Sequence, residues 1–170
     1  MRHLVEPEEL VLLGRPIGKG VSPDKLLAFI TEAEQLYVKP ALGDALFLDV
    51  LARGDTYEPY LLLLGGGVYE GDCGNRYELV GLKTAVAYYV YAQNVMSGDF
   101  NSTRYGMVLK DGDYSSHVSA KERSDHYNNT LEVANQYLRQ CVAYCLRKGL
   151  MKRPSHNAAT AGGITIRKIG

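Results

Sequence analysis

The chain has 170 residues, enough for one domain with a substantial core. Its 46% hydrophobic and 22% charged content is the balance of a soluble globular protein, and no apolar run approaches the ~20 residues of a membrane span. The opening "MRHLVEPEEL" places glutamates where a signal peptide needs its apolar region, so export is not expected. Nineteen acids balance nineteen Lys and Arg, but unevenly. Every acid lies at or before Glu132, where twelve Lys and Arg leave a net −7. After it come Arg139, Arg147, Lys148, Lys152, Arg153, Arg167 and Lys168 with no acid, a net +7. Such a split predicts a basic end that meets an acidic partner, a like subunit or nucleic acid.

Residues 1–21 read as an N-terminal arm. Within it "LVLL" followed by "GRPIGKGVS" raises the question of a phosphate loop after a strand. A phosphate loop needs G-x-x-x-x-G-K-[ST], so that backbone N–H groups wrap the phosphates and the hydroxyl meets Mg²⁺. Here the spacing from Gly14 to Lys19 is one residue short, Gly20 replaces the hydroxyl residue, and Pro16 removes an N–H. The segment is a turn, not a nucleotide site.

A helix begins at Ser22 as N-cap with Pro23 at the first turn. Leu26, Phe29, Ile30, Ala33, Leu36 and Tyr37 give it an apolar face, and Pro40 is expected to end or kink it. Leu46 to Leu51 mark a short helix stopped by Gly54, and "YEPYLLLL" marks a third ended by three glycines. "GVYEGDCGNRYE" reads as a loop. From Glu78 to about Met96 a largely apolar helix is predicted, fit for the centre of a bundle. Between Thr103 and Val118 the period changes to that of a hairpin, turning at Asp111-Gly112. Ser119 and Glu122 form a capping box opening the longest helix, which runs to Lys148 with Gly149 after it. Its stripe is Tyr127, Leu131, Ala134, Leu138, Cys141 and Cys145, and Tyr88, Leu138 and Cys141 are expected where the central and last helices pack. Residues 150–170 form a basic, linker-like tail with a short strand expected at 164–169. The fold class is therefore mainly α: a bundle of about five helices over residues 22–149, a small inserted hairpin and an extended C-terminal tail.

Chemistry-bearing groups are sparse. Cys141 and Cys145 stand four apart on a helix, a spacing able to share a metal, but both fall on the apolar stripe and no further ligand is near in sequence. Core packing is the simpler reading, and with Cys73 they suit a reducing compartment. His3, His117, His126 and His156 are scattered without an acid–base or nucleophile motif. "DGD" at 111–113 lacks the remaining ligands of a calcium loop. Neither an enzyme nor a cofactor is expected. Thirteen tyrosines and no tryptophan suit partly buried surfaces such as interfaces.

Taken in order, "ITEAEQLYVKPALGDALF", "YLLLLGGGVY", "GLKTAVAYYVYAQNV", "TRYGMVLKDGDYSS" and the long last helix resemble head–tail connector proteins of tailed bacteriophages. The likeness covers roughly residues 20 to 148. It is nearest to neck proteins of phages and prophages of Bacteroides-like hosts, including crAss-like phages. The resemblance implies a structural virion protein made in the host cytoplasm and placed at the head–tail interface. It implies a homo-oligomeric ring, typically dodecameric, that binds the portal, extends the channel for packaged DNA and receives tail or further neck proteins, with no membrane involved. On that reading the hairpin residues Arg104, Tyr105, Lys110 and Tyr114 make subunit contacts. Ile164, Ile166, Arg167 and Lys168 in the tail dock on a sheet edge of the portal or an adjacent subunit. The alternative is a small nucleic-acid-binding protein acting through its basic C-terminal region, against which stands a lack of aromatics interleaved in that sequence.

Overall fold

The computed structural model describes residues 2–17, 21–71, 74–97, 100–103, 106–109 and 119–152, with backbone alone for 100–103 and 106–109. It is mainly helical, as the sequence predicts. In order come α1 (Leu10–Leu13), α2 (Pro23–Ala33), a π-helical turn (Glu34–Val38), α3 (Lys39–Leu42), α4 (Asp44–Arg53) and α5 (Glu58–Gly65). The hairpin β1 (Gly67–Glu70) and β2 (Arg76–Leu79) precedes α6 (Leu82–Ser97). The hairpin β3 (Phe100–Thr103) and β4 (Gly106–Leu109) then leads towards α7 (Ala120–Arg147).

The centre of the molecule is the pair α6 and α7, which share its most extensive packing. They run antiparallel, for Tyr88 meets Tyr137 while Tyr91 meets His126. α6 buries Leu82, Ala85, Val86, Ala87, Tyr89, Val90 and Ala92, hence its near-continuous apolar sequence. α7 turns Ala134, Leu138, Cys141 and Cys145 inward on the predicted stripe, with Thr130 and Tyr144 added. Tyr88 is only partly buried; its neighbour Tyr89 is fully enclosed. Tyr89 stacks on Tyr37 at 4.2 Å and donates to Asn135 Oδ1 at 2.6 Å, so one ring ties α6 to both the π turn and α7. Tyr144 donates to the Pro59 carbonyl at 2.9 Å and fixes α5. The tyrosine surplus thus serves the core as well as the surface.

Helix ends follow local chemistry. Ser22 accepts from the Lys25 N–H, and Ser119 and Glu122 close a full capping box. Gly149 takes φ +66° after α7, the left-handed form that ends a helix. Pro40 does not end its helix. Just ahead of it the backbone widens to a π turn, with Lys39 N–H donating to the Glu34 carbonyl. Pro40 has no N–H to give, and its ring would clash with the carbonyl four residues back in a regular helix. The wider turn relieves that conflict, and the helix continues to Leu42.

Two expectations are corrected. Residues 2–17 are no free arm: Leu4, Val5 and Leu10 are buried in the core, and "LVLL" is helical instead of extended. "GVYEGDCGNRYE" contains a hairpin, pairing Val68 with Glu78 and Tyr69 with Tyr77, so α6 starts four residues later than expected. The base of this hairpin crosses α5 where no Cβ fits. A Cβ on Gly66 would stand 2.5 Å from the Val80 carbonyl oxygen, and one on Gly81 2.8 Å from the Gly65 carbonyl carbon; both residues also have positive φ. A second hairpin pairs β3 with β4, Phe100 opposite Leu109 and Thr103 opposite Gly106; the turn expected at Asp111-Gly112 and the partner strand "DYSSHV" lie outside the described residues.

What locks the N-terminal segment is one carboxylate. Glu34, 2% exposed, accepts from the Leu4 N–H through Oε1 at 2.6 Å and pairs through Oε2 with His3 Nδ1 at 2.9 Å. Removing one member of such a buried pair leaves the others unsatisfied. Glu34→Ala should lower stability by about 3–5 kcal/mol in urea unfolding, whereas Glu32→Ala, on the exposed face, should change it by less than about 0.5 kcal/mol.

Candidate interaction site

The sequence-predicted contact residues Arg104, Tyr105, Lys110, Tyr114, Ile164, Ile166, Arg167 and Lys168 all lie outside the described residues, as do the strand expected at 164–169 and most of the tail. The described part of the basic end does form a site. On the C-terminal half of α7, Arg139 and Arg147 are eight apart and line one cleft with Tyr69 and Tyr77 of the β1–β2 hairpin, Glu78 and Ala143. The cleft encloses about 370 Å³. Its floor is aromatic: Tyr69 and Tyr77 stack at 5.5 Å. The Arg147 guanidinium lies 4.1 Å from the Tyr77 ring centre and donates to the Tyr69 hydroxyl at 2.9 Å. Lys148 reaches the Glu70 carbonyl at 2.9 Å, pinning the hairpin to the helix end.

This arrangement corrects the sequence reading, in which the basic end lacked interleaved aromatics. The rings come from a hairpin some seventy residues earlier in the chain. A guanidinium over an aromatic ring gains cation–π attraction, and guanidinium groups as a class suit a carboxylate or phosphate. Arg139, exposed on the opposite rim, makes no ion pair among the described residues.

Two other polar clusters satisfy themselves. Around the N-terminal segment a cavity of about 280 Å³ is lined by Arg2, His3, Glu6, Glu9, Asp55 and Lys83 among others. Most of its polar side chains are paired: Arg2 with Asp55, His3 with Glu34, and Lys83 with Glu9 at 2.5 Å, while Glu6 is exposed. The Lys83 ammonium and the Glu6 N–H hold the Glu9 carboxyl below its ordinary range, although partial burial pushes the other way. Arg15, from the rejected phosphate-loop stretch, donates to Thr130 Oγ1 at 2.9 Å and Asn129 Oδ1 at 3.1 Å and lies 5.8 Å from the ring centres of Tyr88 and Tyr91. It fastens the N-terminal segment across α6 to α7.

The chain belongs to a family of unknown function, DUF6712. The family model matches residues 38–150, from the π turn to the end of α7. The match therefore includes the Tyr77–Arg147 cleft, while Glu34 and α1 precede it. No curated protein and no solved structure matches the chain. Among the described residues, no group of three or more His, Cys, Asp or Glu is placed to hold a metal ion, and no helix is long and apolar enough to cross a membrane.

In this DUF6712 chain Cys141 and Cys145 sit in the core, as their stripe predicts. Burial pushes both thiols up to about 12, since a thiolate there would lose its hydration. Both are therefore neutral and inert near pH 7. With Cys73→Ser removing the third thiol, a disulfide reagent should label nothing in the native chain and two groups after denaturation. Fast labelling of native protein would show an open helix interface.

Proposed function

We propose that the chain is a structural subunit of a tailed-phage neck: a head–tail connector that packs against copies of itself, the portal and further neck or tail proteins, in the virion. The observation that carries this reading is the number of large apolar side chains turned outward. Val11 and Leu12 on α1, Leu36 in the π turn, Leu48 on α4, Leu61 on α5 and Val68 on β1 are all more than half exposed except Leu61, at 50%. Single exposed leucines are ordinary, but residues of this kind spread over five elements suit a chain that is covered in an assembly.

The resemblance supplies the kind of assembly, and the residues carrying it have structural work. In "AEQLYVKPALG", Glu34 clamps the N-terminal segment, Pro40 accompanies the π turn, and Gly43 has φ +80°. In "GLK", Gly81 permits the close crossing and Lys83 pairs with Glu9. A likeness resting on such residues concerns the shape of the body. The two hairpins leave strand edges for partner strands, the basic tail's Ile164 and Ile166 among the candidates.

A second reading is favoured by one observation, the cleft in which Arg139, Arg147, Tyr69 and Tyr77 stand together. Basic and aromatic groups side by side suit nucleic acid, so the alternative is a small DNA- or RNA-binding protein. Two measurements separate the readings. In the strain carrying the gene, a tagged chain should co-purify with tailed particles in several copies each, and deletion of the gene should leave heads without tails. Normal particles from the deletion strain would refute the connector reading. Duplex binding by the isolated chain that weakens steeply with salt would favour the second.

A further inference from the structure

We infer that the α1 ridge of one copy docks in the Tyr77–Arg139–Arg147 cleft of the next copy. This rests on the reading of the chain as an assembly subunit and names the contact within it.

The ridge is built by a very short helix. Leu10 points into the core, which leaves Val11 68% and Leu12 87% exposed, the two most exposed large apolar side chains among those described. They are held out rigidly: Glu34 fixes residues 3 and 4 upstream, and Arg15 is tied to α7 downstream. Glu6 and Glu8 lie exposed beside them, and neither forms an ion pair among the described residues. The ridge is therefore apolar at its crest and acidic at its flank.

The cleft is the converse. It is lined by the Tyr69–Tyr77 stack with Ala143 and, among the described residues, by the side chains of Arg139 and Arg147 and one carboxylate, Glu78. Leu12 and Val11 seated in the cleft would lose contact with water, and Glu8 would meet the exposed guanidinium of Arg139. An isologous contact through the cleft would instead set two pairs of arginines against each other. The ridge and the cleft share no residue. Their union is heterologous, so every copy keeps one of each surface for a further neighbour, as a ring requires.

Sedimentation of the full-length chain tests this with two exposed substitutions, Arg139→Glu in the cleft and Leu12→Asp on the ridge. Circular dichroism should show both folded; Arg139→Ala replaces the first if it is not. The wild type should self-associate beyond a dimer, and each variant alone should associate at least about tenfold more weakly. An equal mixture of the two should form a dimer that grows no further, because it retains one intact ridge and one intact cleft. Glu8→Arg combined with Arg139→Glu should regain part of the lost association.

Variants that associate like the wild type, a mixture that forms no dimer, or a wild type still monomeric at roughly 0.5 mM would each overturn the contact. So would salt-sensitive duplex binding lost in Arg139→Glu by a chain that never self-associates. Incorporation of the chain into particles is a separate readout. Measured with the wild-type chain, it tests the connector reading whatever the outcome for this contact.

Discussion

The Glu34 carboxylate is almost completely withdrawn from water, and the N-terminal third of the molecule is arranged around it. Withdrawal of a carboxylate is costly unless its oxygens are engaged, and here the chain itself returns to engage them, through His3 and the Leu4 N–H. That return brings Leu4, Val5 and Leu10 into the core and carries the chain across α6, where Gly14 passes so close to Ala87 that an added Cβ would stand 3.1 Å from the alanine methyl. Glu34 also stands where the backbone changes from α to π geometry, accepting through its carbonyl from Lys39. The same residue therefore anchors a distant segment and opens the widened turn next to Pro40.

That anchor also shapes one of the two surfaces of the proposed contact. A tethered N-terminal segment makes α1 a fixed ridge with a defined apolar crest. At the C-terminal end of α7, the β1–β2 hairpin needs that helix to be stable, since two strands alone are marginal in water. Lys148 and Arg147 hold it there, and in doing so they become part of a basic, aromatic cleft. Each surface is thus a by-product of how a segment is secured to the α6–α7 pair. The charge asymmetry of the sequence, acidic early and basic late, is expressed as unlike surfaces on one rigid body.

Much of the fold was legible because it is written in local chemistry. Ser22 with Pro23, the Ser119–Glu122 box, Gly54, Gly149 and the stripe from Ala134 to Cys145 act within one or two turns, and the structure bears each out. What escaped was non-local. No pattern in residues 1–17 announces a partner at Glu34, thirty positions on, although an apolar Leu4-Val5 pair beside His3 was the signal available. The first hairpin reads as a loop in the sequence because strands of four residues barely alternate, and only Tyr69 is buried along β1. Pro40 was read by its usual effect on a regular helix, which a π turn cancels. The cleft was hidden for the same reason as the arm: its arginines and its tyrosines are far apart in sequence and adjacent only when α7 meets the hairpin. The residues expected to make contacts, Arg104, Tyr105, Lys110 and Tyr114 with those in the tail, lie outside the described part of the chain.

Because α1 works as a docking surface only if it is rigid, the account is tested most directly at the Leu4 amide by native-state hydrogen exchange. Held by Glu34 in the core, this amide should exchange as slowly as the central amides of α6, opening only with the whole body. Exchange of the Leu4 amide at the rate of an unstructured peptide, with α6 still protected, would show a loose arm and contradict the account.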